Sequence, residues 1–330
     1  MKPRQAAALV LVLAACALTA GDERTAPRPA ATPPLPTSLW APPAEPRAAI
    51  LALHGFNDYR RAFELFGSFA AERGIAVEAF DQRGFGENPD RGRWPGSARL
   101  VADARARLLA LHRQYPGVPV YLLGVSMGAA VAALAVAEQP PPFLAGVILS
   151  APAVWGGQAM NPFYRGLLWI AARLFPDLEL TGESLKRQAS DNLEVLRALA
   201  ADPLFIKRTR IAAIEGLVRL MGEAFAAAPR ILSPVLVLVG ERDQIVPVDA
   251  QLAFARAIGS EDCTLVVYPE GWHLLLRDRQ RERVWRDIEA WLFGEPLPSG
   301  LARPCAERDL AAAGSGREID GAPRLPARTP

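Results

Sequence analysis

The 330-residue sequence is poor in histidine and lysine. It contains three histidines, and only three of its 37 basic residues are lysines. The arginines are interspersed with 35 acidic residues, so the formal net charge is only +2. Because no basic stretch carries interleaved aromatic residues, the sequence argues against a nucleic-acid partner.

Other patterns are also missing. The sequence has no His/Cys cluster with metal-ligand spacing, no glycine-rich phosphate loop and no internal repeat. We therefore expect neither a metal nor another cofactor. In contrast, hydrophobic residues make up 51% of the chain, which is enough to bury the core of one α/β domain of about 250 residues.

The most informative motif is the pentapeptide Gly-Val-Ser-Met-Gly at 124–128. An apolar, β-prone segment (118–123) precedes it, and an Ala/Val/Leu-rich segment (129–138) that predicts a buried helix follows. Strand, pentapeptide and helix together are typical of a nucleophile elbow, a tight strained turn that lifts a serine hydroxyl clear of the sheet. The motif predicts Ser126 as a nucleophile.

Chain order selects the base. An elbow serine needs an imidazole partner, and in α/β-hydrolases the order along the chain is serine, acid, histidine. His54 and His112 precede Ser126, which leaves His273, in a loop after the β-branched run 264–268. His273 is the predicted general base.

The acid is expected at the end of a strand between the serine and the histidine. The continuous apolar run 234–239 predicts a strand that is buried on both faces of a parallel sheet, and Asp243 follows it by a few residues. A carboxylate there can accept the imidazole Nδ1–H and fix its tautomer. Asp243 is the predicted acid, with Glu241 as the alternative.

Two backbone N–H groups are expected to form an oxyanion hole. One belongs to Met127, directly after the nucleophile, and the other to Phe56, in the loop after an early apolar strand. Gly55 allows the backbone to approach the substrate, whereas His54 is interpreted as a loop-packing residue.

Four motifs resemble those of the monoacylglycerol lipase and lysophospholipase group of serine α/β-hydrolases, in the same order. They are His-Gly-Phe-Asn-Asp-Tyr at 54–59, Asp-Gln-Arg-Gly-Phe-Gly at 81–86, the elbow, and Gly-Glu-Arg-Asp at 240–243. The resemblance covers residues 38–294. It implies that the predicted triad and oxyanion hole hydrolyse carboxylic esters of lipid-like alcohols without a cofactor.

The same residues leave other functions open. Because fold and triad do not fix the bond that is cleaved, a peptidase or amidase would use the same residues. A catalytically inactive hydrolase fold that binds lipids or partners at the cell envelope is a non-enzymatic alternative, against which the intact triad argues.

Alternation of apolar and amphipathic segments predicts the α/β-hydrolase fold, with a mostly parallel, doubly wound sheet. Residues 151–230 interrupt the alternation without an obvious strand, which predicts a helical cap inserted before the strand that carries the acid. Its amphipathic stretches lie near 192–200 and 204–228. The predicted strands lie near 48–53, 75–80, 118–123, 145–150, 234–239 and 263–268, and the helices between them include 60–73 and 97–114.

The N-terminus predicts a signal segment (1–20). A positive start precedes an apolar stretch too short to span a bilayer, which ends in Leu-Ala-Ala-Cys, similar to a bacterial lipobox. We expect lipidation at Cys16, a Pro-rich tether over 21–46, and a lipoprotein anchored to a membrane of the bacterial cell envelope. The alternative is a secreted or periplasmic protein cut after Ala20.

The other two cysteines lie near the C-terminal end. Cys263 falls on a predicted strand, and Cys305 lies in a Pro/Arg-rich tail (295–330) that is predicted to be disordered. An oxidising compartment would permit a disulfide between them, but a disordered tail disfavours that pairing.

Overall fold

The computed structural model describes residues 34–137, 139–155, 162–181 and 187–306. The strands are β1 (Thr37–Trp40), β2 (Ala48–Leu53), β3 (Ile75–Phe80), β4 (Val120–Val125), β5 (Leu144–Ser150), β6 (Glu179–Thr181), β7 (Arg208–Arg210), β8 (Val235–Gly240), β9 (Cys263–Tyr268) and β10 (Ala302–Pro304). The α-helices are α1 (Glu64–Ala71), α2 (Ser97–Gln114), α3 (Met127–Ala137), α4 (Pro162–Leu174), α5 (Leu193–Ala201), α6 (Ile211–Ala227), α7 (Val248–Ala257) and α8 (Arg281–Leu292).

The central sheet has eight strands in the order β1-β3-β2-β4-β5-β8-β9-β10. Its inner strands pair in parallel, whereas β1 and β10 pair antiparallel at the two edges. The prediction of a mostly parallel α/β-hydrolase sheet is confirmed, and the six strands predicted from apolar runs are its parallel strands. Their carboxyl ends lie along one edge, where ligands bind in open α/β sheets.

Apolar side chains cover both faces of the sheet. In β2, Leu51 and Leu53 belong to the core cluster that contains α2 and α3, whereas Ile50 and Ala52 belong to the cluster that contains α8. Alternate side chains of a strand point to opposite faces, so a continuous apolar strand must be covered on both. Helix α3 is itself buried in ten of its eleven residues. Its burial fixes the position of Ser126, the residue directly before it.

The cap differs from its prediction in two respects. It contains a short antiparallel pair, β6 and β7, in which Glu179 pairs with Arg210, and the helix predicted at 204–228 begins only at Ile211. Strands of three residues are too short to show an alternating pattern, which explains why the sequence predicted no strand there. Residues 156–161 and 182–186 of the cap lie outside the described residues.

The boundary of the predicted tether is wrong. Residues 37–40 form β1, in which Thr37 pairs with Phe80 and Trp40 with Val77. Trp40 packs so closely on α1 that a Cβ added to Gly67 would lie 2.4 Å from its indole ring. The sequence did not predict this strand, because the segment is rich in proline and a single large aromatic side chain, that of Trp40, anchors it. The rest of the predicted tether, residues 21–33, and the signal segment with Cys16 lie outside the described residues.

The prediction of disorder from 295 onward is wrong for 295–306. Strand β10 pairs with β9, and Cys305 forms a disulfide with Cys263. All three residues of β10 are exposed, so this edge strand has no apolar alternation by which the sequence could reveal it. Residues 307–330 lie outside the described residues. Within the described ranges, no helix is long and apolar enough to cross a membrane.

Candidate active site

Ser126 is the single residue between the end of β4 and the start of α3. Its φ is +54°, in the left-handed region that costs a non-glycine residue roughly 1–3 kcal/mol. A Cβ added to Gly124 would lie 2.4 Å from the Gly128 carbonyl oxygen, and one added to Gly128 would lie 2.1 Å from that of Leu53. Both glycines are therefore required for the turn that raises the serine side chain.

The structure brings Ser126, His273 and Asp243 together at the carboxyl ends of the parallel strands. Ser126 Oγ lies 2.9 Å from His273 Nε2, and His273 Nδ1 lies 2.8 Å from Asp243 Oδ2. The three residues are buried, at 9%, 5% and 8% exposure respectively. Both imidazole nitrogens therefore have partners. The Nδ1–H is directed at the Asp243 carboxylate, and Nε2 can accept the proton of the Ser126 hydroxyl.

Asp243 is held as a carboxylate. Its Oδ1 accepts the backbone N–H groups of Ile245 at 2.7 Å and Val246 at 3.0 Å, and its Oδ2 accepts Gln251 Nε2 at 2.9 Å. Burial alone would raise the pKa of Asp243, but the charge and hydrogen bond of His273 and the backbone N–H groups of Val246 and Ile245 outweigh it and lower the pKa. Asp243 is therefore ionised at neutral pH and can stabilise an imidazolium.

The alternative acid, Glu241, does not join this group. It lies directly after β8 with an exposed side chain, and its backbone N–H donates to the Tyr268 carbonyl oxygen at 3.0 Å. The chain turns between Glu241 and Asp243, so that Asp243 lies in the site and Glu241 does not.

The predicted oxyanion donors belong to two segments that adjoin Ser126. Met127 is the first residue of α3, and the first N–H groups of a helix have no acceptor within it. A Cβ added to Gly55 would lie 3.5 Å from Ser126 Cβ, so the loop that contains Phe56 runs directly beside the nucleophile. The Phe56 ring packs against Phe85, with 5.7 Å between centroids.

His54 holds the loop that contains Phe56 through two hydrogen bonds of its ring. Its Nδ1–H donates to the Gly55 carbonyl oxygen at 2.8 Å, while the Gln82 backbone N–H donates to its Nε2 at 2.9 Å. Burial lowers the pKa of His54, which outweighs the hydrogen bond to Gly55 and the nearby carboxylates. The ring is therefore neutral and serves packing, as its position in the loop suggested.

Sequence reasoning missed the partners that support the triad. Gln251 donates to Asp243, Arg277 forms a partly buried ion pair with Asp58, and the buried Asp278 accepts hydrogen bonds from Trp272 and Ser190. For Arg277 and Asp278, the only sequence signal was their position as a charged pair directly after the apolar run 274–276.

A cavity of about 880 Å³ lies between α4, α6 and α7. Its lining is mostly apolar and includes Val154, Trp169 and Phe225. The described lining residues do not include the triad, but Val154 follows Ala153, whose N–H donates to the Ser126 carbonyl oxygen at 3.1 Å. Val154, which lines the cavity, is therefore the residue next to Ala153, which is hydrogen-bonded to Ser126.

Among the described residues, no group of three or more His, Cys, Asp or Glu side chains is arranged to hold a metal ion. The geometry of Ser126, His273 and Asp243 suits nucleophilic attack by an activated serine.

A family model described as serine aminopeptidase, S33, matches residues 44–280, most of the chain. The chain belongs to this family. The match begins just before β2 and includes all three triad residues.

Relatives and solved structures agree on the architecture. The chain is 26% identical over 257 residues to a monoacylglycerol lipase of Mycolicibacterium smegmatis, covering 77% of this chain and 91% of the relative. It is 27% identical over 271 residues to human monoglyceride lipase, covering 80% and 88% respectively. The crystal structure of Paleococcus ferrophilus monoacylglycerol lipase is similar with a TM-score of 0.68 and 23% identity, over 79% of this chain and 99% of that one. At that identity the structural similarity shows the fold. The family match and the two sequence relatives together confirm the predicted similarity to serine α/β-hydrolases of the monoacylglycerol lipase group.

Proposed function

We propose that this protein is a serine hydrolase that cleaves carboxylic esters of lipid-like alcohols through an acyl-enzyme. The observation that carries the proposal is the pair of hydrogen bonds, 2.9 Å and 2.8 Å, that links Ser126, His273 and Asp243. The monoacylglycerol and monoglyceride lipases among the relatives support the substrate class.

In the first half of the reaction, His273 Nε2 takes the proton of Ser126 Oγ as Oγ attacks the ester carbonyl carbon. The carbonyl oxygen becomes an oxyanion, which the N–H groups of Phe56 and Met127 stabilise. The charge of Asp243 favours the imidazolium. When the tetrahedral intermediate collapses, the imidazolium gives its proton to the leaving alcohol and the acyl group stays on Oγ.

In the second half, water replaces the alcohol. His273 takes a proton from the water, whose oxygen attacks the acyl carbon, and the same two N–H groups stabilise the second oxyanion. Collapse of this intermediate breaks the bond to Oγ, which regains its proton from the imidazolium. The carboxylic acid leaves and the resting site is restored.

We assign the acyl chain to the cavity between α4, α6 and α7. Each buried methylene contributes about 0.8 kcal/mol, so kcat/KM should rise from acetate to octanoate p-nitrophenyl esters. Gly166 lines this cavity, and a Cβ added there meets nothing within 4 Å. Gly166→Phe should therefore shorten the preferred acyl chain without straining the helix. Leu167→Phe, at the next and 54% exposed position of α4, is the matched control.

A rise in kcat/KM with chain length that Gly166→Phe reverses and Leu167→Phe does not is the expected result. Flat or falling specificity from two to eight carbons in the wild type would contradict a lipid-like substrate.

The family description favours one competing activity, aminopeptidase. Such an enzyme would use the same triad but would need to prefer substrates with a free α-amine. Comparison of aminoacyl p-nitroanilides with p-nitrophenyl esters of similar size separates the two. Faster turnover of the amides than of every ester would replace the esterase proposal by the peptidase one.

For the location, we infer a lipoprotein anchored through Cys16 in a bacterial cell envelope. The lipobox-like Leu-Ala-Ala-Cys supports it, and the Cys263–Cys305 disulfide is typical of an oxidising compartment outside the cytoplasm. Two or more acyl chains are enough for stable membrane attachment. Cys16→Ser should abolish fatty-acid labelling. A mature wild type that is soluble and unlabelled would favour cleavage after Ala20 and release.

A further inference from the structure

The loop that carries His273 is held by the cap as well as by the core. The backbone N–H groups on either side of the imidazole belong to Trp272 and Leu274. The first donates to Asp278 Oδ2 at 2.8 Å, and the second donates to the cap carbonyl of Ala189 at 3.0 Å. The backbone N–H groups of the residues before and after His273 therefore both have partners, one of them directly in the cap.

Asp278 connects the same loop to the cap a second time. Its side chain is fully buried, and Oδ1 accepts the Ser190 hydroxyl at 2.6 Å. Ser190 is also fully buried, and its Oγ accepts the Asn192 backbone N–H at 3.1 Å. Because that bond uses a lone pair of Oγ, the hydroxyl proton is directed at the carboxylate.

Removal of the Asp278 carboxylate from water is unfavourable. The pKa of Asp278 is raised to about 6, chiefly by burial and also by the charge of Asp191, although the hydrogen bonds from Ser190 and Trp272 and the charge of His273 lower it. A buried carboxylate is weak evidence for stability, because its desolvation costs free energy even when it is hydrogen-bonded. Its position between the cap and the histidine loop indicates a different role.

The cap segment 187–192 also contacts the loop of the acid. The Gln188 backbone N–H donates to Gln244 Oε1 at 3.1 Å, and Gln244 directly follows Asp243. On the side of the base, Asn192 Nδ2 donates to the Arg277 carbonyl oxygen at 3.0 Å. One short segment of the cap is therefore hydrogen-bonded to both loops that complete the triad.

We propose that Asp278 is a positioning residue that, through Ser190 and the Trp272 backbone, holds His273 in line with Ser126, so that the alignment of the base depends on the cap. The inference rests on the proposed function of His273 as the general base. A displacement of about 1 Å in a reacting group can lower the rate about 100-fold. A loosened loop should therefore lower kcat and leave KM nearly unchanged.

The experiment compares two buried aspartates. Asp287 is also fully buried. It also accepts one hydroxyl, Tyr268 Oη at 2.8 Å, and one backbone N–H, Ser299 at 2.9 Å, but neither donor belongs to a catalytic loop.

Asp278→Ala should lower kcat for a p-nitrophenyl ester about 10- to 100-fold, whereas Asp287→Ala should stay within about twofold of the wild type. Asp278→Asn, which keeps an acceptor for Trp272 and a partner for Ser190, should recover most of kcat.

Ser190→Ala removes only the cap end of the link and serves if Asp278→Ala does not fold; it should lower kcat about tenfold. A readout that needs no substrate is the downfield imidazole Nδ1–H proton signal of His273, which should exchange faster with solvent in Ser190→Ala than in Asp287→Ala. Unchanged kcat and an unchanged signal in folded Ser190→Ala would overturn the inference. An inactive wild type that reacts with no fluorophosphonate would instead refute the proposed function, and the proton signal would still decide on Asp278.

Discussion

The core and the cap place their side chains by different means. In the core, α3 buries ten of its eleven residues, and close glycine contacts set the serine turn. In the cap, every residue of α5 is at least partly exposed, and α4 exposes large apolar side chains such as Phe163 at 73% and Leu174 at 66%. Burial fixes the nucleophile, whereas hydrogen bonds fix the segment 187–192. On this basis we assign the chemistry to the core, and we propose that the cap adjusts substrate and alignment.

The sharpest way to test this division is to remove the core groups. Ser126→Ala or His273→Ala should each lower turnover of a p-nitrophenyl ester by about 10⁴-fold or more, because the triad acts as a unit. The double variant should be little worse than either single variant. Purified proteins with matched far-UV circular dichroism provide the comparison. Losses that multiply in the double variant would show that the two residues act independently.

The next prediction concerns the two carboxylates after β8. Asp243→Asn should lower kcat about 10³- to 10⁴-fold, less than loss of the serine or histidine, because the imidazole loses its correct tautomer. Glu241→Gln, at an exposed position two residues earlier, should leave kcat within about twofold. If Glu241→Gln proved the worse variant, the assignment of the acid would be wrong.

The edge strands allow a comparison of stability with activity. The Cys263–Cys305 disulfide closes a separation of 42 residues, and its replacement by two serines should lower the free energy of unfolding by about 2–4 kcal/mol. Because β10 is the edge strand farthest from the serine in sheet order, kcat should change little. Denaturant unfolding and ester kinetics on the same samples measure both. A large loss of kcat without loss of stability would link this edge to the site.

A smaller effect is expected from the pH dependence of Asp278. Its carboxyl pKa is raised to about 6 in the folded protein, chiefly by burial, so the folded state holds the proton more tightly than the unfolded state. The resulting stability is present below about pH 4 and is lost as the pH rises through about 6, a change of about 1–3 kcal/mol. Asp278→Asn should therefore gain free energy of unfolding relative to the wild type between pH 4 and 7. A constant difference would show that burial does not shift this group.

The sequence was sufficient for the parts of the protein that follow local rules. Continuous apolar runs predicted the six parallel strands, and the pentapeptide around Ser126 with the order of the histidines predicted which residues meet in the site. It was insufficient where partners are distant and the local pattern is short. The three exposed residues of β10, the pairing of Cys305, and the contact of Asp278 with Ser190 depend on segments that only the folded chain brings together.

In the proposed mechanism, Ser126 carries an acyl group during ester hydrolysis. The most direct measurement is acid quench of the protein during turnover of p-nitrophenyl octanoate, followed by peptide mass spectrometry. We predict an octanoyl group on the peptide that contains Ser126 in the wild type, and its absence in Ser126→Ala. Octanoyl on another residue, or undiminished turnover by Ser126→Ala, would show that Ser126 is not the nucleophile.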